Sequence, residues 1–267
     1  MIDGGEHDRR PHPNLVITDL GAVQVIRIDR EEALGALSTG IVHALDDVLS
    51  ELEQQRAVRC VVLTGTGRGF IAGADIKEYA SASSEVFDEY QRFSRSVFER
   101  LATLPQVTIA AVNGYAFGGG FELAMACDFI VASESARFAL PEVKLGLVPG
   151  GGGILRLADA GGTRWAKDVI ISGRTVHPAE ALERGVVSTV VPAGDLLDTA
   201  IAWARDVATR APGAIRAITA LMADDERRTA AASAAERSAL VSLFASRDGR
   251  EGIRAFVEKR EPVFTDE

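Results

Sequence analysis

The run Val107-Thr-Ile-Ala-Ala-Val112, followed by Gly114-Tyr-Ala-Phe-Gly-Gly-Gly120 and Phe121-Glu-Leu-Ala-Met-Ala-Cys127, decides the fold class. The first segment is almost entirely apolar, which is typical of a strand buried on both faces. The glycines that follow predict a turn, and the apolar segment after them predicts a helix that begins at this turn. A buried strand that leads through a turn into a helix is the repeating unit of α/β proteins with parallel sheets.

The same succession recurs on both sides of this run. Residues 15–29 predict a hairpin, and Ser38 is expected to cap a helix that continues to about Gln55. From Ala193 onward the strand signals stop and only helical patterns remain. The other predicted elements are strands over 58–64, 107–112, 129–131 and 186–191, and helices over 84–104, 120–127, 194–210, 212–225, 229–246 and 248–260.

The order of these elements predicts the domain organisation. Residues 1–13 are polar and contain neither an apolar signal segment nor a cleavage pattern, so a disordered tail is expected there. Residues 14–192 are expected to form the α/β core, and residues 193–267 a C-terminal helical region.

Composition excludes several classes of function. The chain has 267 residues and a formal net charge of -9, which disfavours nonspecific binding of nucleic acids. No stretch approaches the roughly 18 consecutive apolar residues that span a bilayer. Cys60 and Cys127 lie in apolar runs and are expected in the core, which fits a reducing cytoplasm. The His residues are scattered, so no metal site is expected, and the Walker, G-x-S-x-G and H-E-x-x-H motifs are absent.

Two glycine-rich segments after apolar strands are candidates for binding a carbonyl oxygen. In the first, Gly73 allows an unusual turn and Asp75 can cap the next helix, which would leave the Ala74 amide as a donor. In the second, consecutive glycines over 118–120 open a helix whose first N–H groups have no partner within that helix. Two such amides can form an oxyanion hole, although tight packing alone is the simpler explanation for either loop.

Two carboxylates strengthen the catalytic interpretation. Glu122 lies in the first turn of an otherwise apolar helix, and Glu142 follows Pro141 in apolar surroundings. A Glu at a helix start is usually a cap exposed to solvent, but two in apolar surroundings beside donor loops indicate paired acid–base catalysis. The segment Pro149-Gly-Gly-Gly-Gly153 offers a further amide that could hold a water molecule. The predicted chemistry is proton transfer and water addition next to a thioester or a similar carbonyl.

A family resemblance rests on several motifs quoted together: Ala72-Gly-Ala-Asp-Ile-Lys-Glu78, Asn113-Gly-Tyr-Ala-Phe-Gly-Gly-Gly-Phe-Glu-Leu-Ala-Met-Ala-Cys-Asp128, Pro141-Glu-Val-Lys-Leu-Gly-Leu-Val-Pro-Gly150 and Phe256-Val-Glu-Lys-Arg260. In this order, over about residues 14–264, they resemble the enoyl-CoA hydratase (crotonase) family. The resemblance implies an α/β crotonase-like spiral of ββα units, with the C-terminal helices forming a trimerisation region. It also implies a homotrimer or homohexamer, an acyl-CoA substrate, and no separate cofactor because coenzyme A is part of that substrate.

The resemblance also implies roles for individual residues. By position, the amides of Ala74 and Gly119 resemble the pair that binds the thioester oxygen. Glu122 and Glu142 resemble the acid–base carboxylates, and Gly150 resembles the residue whose amide helps hold the attacking water. The positions that match coenzyme A contacts are Ala72, Asp75, Ile76, Lys77, Phe256 and Lys259.

Some positions depart from the family pattern and leave alternatives open. Glu32 stands where a basic residue near the phosphates is usual, which predicts weak, salt-sensitive binding of coenzyme A, and Gly35 stands where Asn is usual. Isomerisation or decarboxylation of an acyl-CoA remains an alternative reaction, and a non-catalytic scaffold or RNA-binding role a weaker one. The aromatic residues Phe87, Tyr90, Phe93 and Phe98 are expected to be a core stripe, with pocket lining as the alternative.

Overall fold

Two β-sheets form the centre of the molecule, seen in a computed structural model that describes residues 7–227 and 230–264. The larger sheet has seven strands and the smaller has three. The strands are β1 (His7–His12), β2 (Leu15–Asp19), β3 (Val23–Ile28), β4 (Cys60–Gly65), β5 (Gly69–Ile71), β6 (Val107–Val112), β7 (Tyr115–Phe117), β8 (Phe129–Ser133), β9 (Arg137–Ala139) and β10 (Thr189–Val191). The larger sheet runs β1-β2-β3-β4-β6-β8-β10 and the smaller β5-β7-β9.

Helices connect the strands and make up the C-terminal part. They are α1 (Thr39–Gln54), α2 (Ile76–Tyr79), α3 (Ser84–Ala102), α4 (Gly119–Ala126), α5 (Gly153–Gly161), α6 (Thr163–Ser172), α7 (Pro178–Glu183), α8 (Leu196–Ala208), α9 (Pro212–Arg227), α10 (Ala230–Ala245) and α11 (Arg247–Glu258). Short 3-10 helices lie at Glu31–Ala33, Glu142–Leu145 and Ala193–Asp195.

The two sheets arise from a repeated ββα unit. In each of three consecutive units, the first strand joins the larger sheet and the second joins the smaller one, so that β4 is followed by β5, β6 by β7 and β8 by β9. A helix follows each second strand, and neighbouring units pair in parallel in both sheets. The repetition turns the chain through a spiral, and equivalent positions of successive units lie side by side.

Alternation along the strands builds two apolar layers. Val61 and Leu63 face the layer that contains α1 and α3, whereas Cys60 and Val62 face α8 on the opposite side. This period of two matches the pleat of a strand. Both faces of the larger sheet are covered, as parallel sheets require.

The structure confirms the α/β class and corrects the N-terminal prediction. The hairpin of β2 and β3 is present, and the Ser38 side chain caps α1 by accepting a hydrogen bond from the Ile41 amide. The disordered tail expected over residues 1–13 is wrong for His7–His12, which pair antiparallel with β2, and residues 1–6 lie outside the described part. Within residues 7–227 and 230–264, no helix has the length and apolar character needed to cross a membrane.

Candidate active site

The three strands of the smaller sheet end at the same edge and bring distant segments together. The strands are parallel, with Phe117 paired to Ala139 and Ile71 paired to Ala116, and the pairing of β5 with β7 shifts register between Gly69 and Ile71. Since the carboxyl ends of parallel strands meet, the residues that follow β5, β7 and β9 become neighbours. These residues are the turn over 72–74, the glycines over 118–120 and the segment that carries Glu142.

The first two turns bring two backbone amides, those of Ala74 and Gly119, close together. Gly73 has φ +113° and Gly118 has φ +51°, conformations that side chains other than glycine rarely adopt. The nitrogen of Ala74 lies 4.0 Å from the position that a Cβ on Gly119 would occupy. In the described chain, the backbone hydrogen bonds include none donated by the amides of Ala74 or Gly119. Both N–H groups can therefore donate to a ligand oxygen placed between the turns.

Glu122 is a buried carboxylate held by the protein backbone. Its residue surface is only 4% exposed, because α4 lies between the smaller sheet and α5. The Glu122 Oε1 atom accepts hydrogen bonds from the amides of Gly151 (2.8 Å) and Gly153 (2.9 Å). A Cβ on Gly151 would lie 2.8 Å from Glu122 Oε2, so this loop needs glycine to approach the carboxylate.

Glu142 lines the same cavity as Glu122. It is the first residue of the 3-10 helix Glu142–Leu145, which α11 covers. The Glu142 Oε1 atom lies 3.0 Å from the position that a Cβ on Gly118 would occupy, next to the amide-donating turn. Its Oε2 atom is shielded from solvent. Both glutamates thus line the same cavity as the two amide-bearing residues.

These groups line a cavity of about 110 Å³. A cavity of this volume can hold water and small polar groups. Burial raises the pKa of the Tyr90 phenol to about 12 and raises that of Tyr79 further, so both phenols are protonated at neutral pH. The apolar wall of the cavity includes Phe87, Phe98, Leu145, Leu147, Val148 and Leu240.

Comparison with known proteins gives one consistent family. The family model described as enoyl-CoA hydratase/isomerase matches residues 19–267, which is most of the chain. The chain belongs to the enoyl-CoA hydratase/isomerase family. The probable enoyl-CoA hydratase echA8 of Mycobacterium tuberculosis is 41% identical over 244 residues, covering 91% of this chain and 94% of that protein. The mitochondrial enoyl-CoA hydratase of Pongo abelii is 39% identical, covering 92% and 84%.

Solved structures of this family share the fold. An enoyl-CoA hydratase from Bacillus anthracis superposes with a TM-score of 0.78 at 35% identity, covering 95% of this chain and all of that one (100%). An enoyl-CoA hydratase from Mycobacterium avium subsp. paratuberculosis superposes with a TM-score of 0.86 at 29% identity, covering 95% and 99%. The predicted crotonase-like spiral of ββα units is therefore confirmed.

The residues predicted to contact coenzyme A fall into two groups. Ala72 and Ile76 line the cavity, and Lys77 is exposed on α2 beside it. Asp75 caps α2 through the Lys77 amide and forms an ion pair of 2.7 Å with Arg30. The ion pair with Arg30 and the cap of α2 give Asp75 a structural role close to the cavity.

The C-terminal pair lies apart from this cavity. Phe256 is 55% exposed, Lys259 ends α11 with φ +54°, and neither residue lines the cavity. Their assignment to coenzyme A stays a prediction from the family resemblance.

The sequence alone does not identify several residues around the cavity. The run of glycines over 150–153 does not by itself indicate that the Gly151 and Gly153 amides donate to Glu122. Arg95 is 8% exposed and lines the cavity, although a charged residue on a helix suggests a solvated face. The predicted core stripe is confirmed, since Phe87 and Phe98 are buried in the apolar core and Tyr90 and Phe93 pack against it. Phe87, Tyr90 and Phe98 also line the cavity.

The thiols do not take part in this arrangement. Cys60 and Cys127 are buried in the core, as the sequence predicts. Burial raises the pKa of Cys60 to about 11 and that of Cys127 further, so both are protonated and poor nucleophiles. Among residues 7–227 and 230–264, no group of three or more His, Cys, Asp and Glu side chains is placed to hold a metal ion.

Proposed function

We propose that this protein is an enoyl-CoA hydratase, which adds water reversibly and with syn geometry to a trans-2-enoyl-CoA to give a 3-hydroxyacyl-CoA. One observation carries the proposal. Two glutamates, Glu122 and Glu142, line the same small cavity as Ala74 and Gly119. Relatives that are 41% and 39% identical to this chain are named as a probable enoyl-CoA hydratase and an enoyl-CoA hydratase.

The amide pair supplies the electrostatic part of the reaction. When a nucleophile adds at C3, negative charge moves through the enoyl system to the thioester oxygen. The Ala74 and Gly119 N–H groups donate to that oxygen and stabilise the enolate more than the starting thioester. Since the backbone fixes both amides, little reorganisation is needed as the charge develops.

The glutamates supply the proton transfers. Glu122 takes a proton from water while the water oxygen forms its bond to C3, and the Gly150 amide helps to hold that water. Glu142, in its protonated form, delivers a proton to C2 and completes the addition. The proton gained by Glu122 returns through solvent to Glu142, so the next cycle begins from the same state.

Coenzyme A belongs to the substrate, and no separate cofactor is proposed. Its phosphates require local cations because the whole chain is acidic. Besides Lys77, support comes from Arg247, Arg250 and Arg254, which line a cleft between α11 and the residues just after α2. We assign phosphate binding to these side chains, of which Arg254 also pairs with Glu251.

A homotrimer or homohexamer in the cytoplasm completes the proposal. The exposed apolar side chains Ile218, Leu221 and Met222 on α9 support an assembly that covers them. We assign this surface to the contact between subunits, in line with the trimerisation region expected for the C-terminal helices.

A direct assay tests the reaction. Purified protein should remove the enoyl-thioester absorbance of crotonyl-CoA, and isotopically labelled water should appear as a C3 hydroxyl in the product. Glu142→Gln should lower this rate by about 10²–10⁴ while a 3-hydroxyacyl-CoA product still binds. Turnover of a 3-enoyl-CoA or loss of carbon dioxide from an acidic acyl-CoA, without hydration, would instead assign the isomerase or decarboxylase alternative.

A further inference from the structure

A buried arginine contacts the loop that holds Glu122. Arg95, on α3, is 8% exposed. Its Nη1 atom donates a hydrogen bond of 3.1 Å to the carbonyl oxygen of Gly150. The N–H on the other side of that same peptide bond belongs to Gly151, which donates to Glu122 Oε1 at 2.8 Å. A single peptide group thus connects the guanidinium to the carboxylate.

This connection has an electrostatic consequence. A cation that donates to a carbonyl oxygen draws electron density toward that oxygen and makes the N–H of the same peptide a stronger donor. The strengthened N–H stabilises the ionised form of a carboxylate that accepts from it. Arg95 also fixes the orientation of the Gly150–Gly151 peptide. Without this hydrogen bond, a peptide between two glycines could flip.

We infer that Arg95 is a positioning residue that holds Glu122 ionised and oriented through the Gly150–Gly151 peptide. The inference rests on the proposed function for the role of Glu122 as the base, but the contact itself does not depend on the substrate. The Arg95 guanidinium is already engaged, since its Nε atom donates to Glu99 Oε1 at 2.7 Å. It is therefore suited to orienting the loop and less suited to binding a substrate group.

Other charges also act on Glu122 and have to be accounted for. Arg156, from α5, donates to the carbonyl oxygen of Gly151 at 2.9 Å and fixes the next peptide of the loop. Glu99 is on the far side of Arg95 and partly neutralises it, with 53% of its side chain exposed. The remaining titratable groups that line the cavity are Glu142, Tyr79 and Tyr90.

The test combines kinetics with a direct titration. Arg95→Met should lower kcat for crotonyl-CoA hydration by up to about 100-fold with little change in KM, because the base is misoriented while substrate contacts remain. The acid limb of the kcat profile should move to higher pH, since loss of a nearby positive charge favours the protonated carboxyl. Arg95→Lys should recover part of both effects because it keeps the charge.

Two matched variants make the test specific. Arg92→Met removes an exposed arginine from the same helix, one that pairs with Asp88 at 3.2 Å, and should leave the rate and the pH profile unchanged. Glu99→Gln should move the acid limb the opposite way, to lower pH, and by less because Glu99 is half exposed. Melting temperature and binding of a product analogue show whether each variant is folded.

NMR titration of isotopically labelled Glu122 separates this inference from the proposed function. A titration of its carboxyl that moves to higher pH in Arg95→Met supports the contact even if crotonyl-CoA is not the substrate. An unchanged titration in a folded Arg95→Met protein would overturn the inference. A large rise in KM with an unchanged pH profile would overturn it too, because Arg95 would then contact the substrate.

Discussion

Two buried glutamates in this molecule are held in opposite ways. Glu122, at the cavity, is 4% exposed and its Oε1 atom accepts from two backbone amides. Glu251, on α11, is 8% exposed and binds the side chains of Arg254 and Arg260, with hydrogen bonds of 2.6 Å to each. Backbone amides donate to the first carboxylate, and two arginine side chains donate to the second.

The difference distinguishes the proposed general base from a structural carboxylate. The arginines lower the pKa of Glu251 far below its usual range, so this group does not exchange a proton near neutral pH. Glu122 accepts from neutral amides, and Arg95 contacts the peptide that carries one of them. A group bound by dipoles can be oriented and still take up a proton, which a general base requires.

Glu122→Gln should give the largest effect and is the strongest test of this contrast. The variant keeps the size and the acceptor oxygen but cannot take a proton from water. Hydration of crotonyl-CoA should fall by about 10²–10⁴ with the melting temperature unchanged or higher. Full activity in this variant would remove Glu122 from the mechanism and end the contrast with Glu251.

Gly153→Ala should come next in size. Its new Cβ would lie 2.9 Å from Glu122 Oε1 and Cγ, so the carboxylate has to move. A displaced base should lower kcat by up to about 100-fold. Gly194→Ala is the control, because a Cβ there meets nothing within 4 Å, and it should keep full activity. Equal rates in the two variants would show that the position of Glu122 is not critical.

Glu251→Gln should affect stability and leave the chemistry intact. A depressed carboxyl pKa stabilises the fold above the pKa of the unfolded chain, and this contribution is lost as pH falls toward the folded value. The variant should therefore melt several degrees below the wild type at pH 7, and the gap should narrow in acid. Glu258→Gln, at a half-exposed pair with Arg260, should change the melting temperature much less.

An exposed carboxylate should give the smallest effect. Glu32 is 74% exposed in its side chain and lies 3.7 Å from Arg30, whose guanidinium also pairs with Asp75. Glu32→Lys should tighten coenzyme A binding about two- to fivefold at low salt, and the gain should shrink at high salt. Calorimetric titration at two salt concentrations measures this, and equal affinity would show that Glu32 does not weaken the site.

The sequence predicts much of the α/β fold because its long strands and helices have strong patterns. It does not reveal β5, β7 and β9, which have three residues each and run through glycine-rich segments. Those short strands align Ala74, Gly119 and Glu142, so the shape of the site depends on elements too short for a periodic pattern.

Burial of individual charges was predictable only where the neighbours in sequence are apolar. Glu122 stands inside an apolar helix, and its burial follows from that pattern. Arg95 lies between two serines of α3 and contacts the carbonyl oxygen of Gly150, which is 55 residues away in sequence. Local sequence patterns cannot predict a contact over that separation.

Gly35, a departure from the family pattern, has φ +75°, and a Cβ there would meet the Phe70 carbonyl oxygen at 2.4 Å. The path of the backbone therefore requires glycine at this position.

Strand β1 bears on how the protein can be handled in the laboratory. It covers the outer edge of β2, and its own segment His7-Asp-Arg-Arg-Pro-His12 is charged and contains a proline. Such a segment is a poor template for another strand, whereas the bare edge of Leu15-Val-Ile17 would be a good one. Shortened versions of the chain that begin at Asn14 should therefore aggregate when they are concentrated. An affinity tag should be added before β1 and should not replace it.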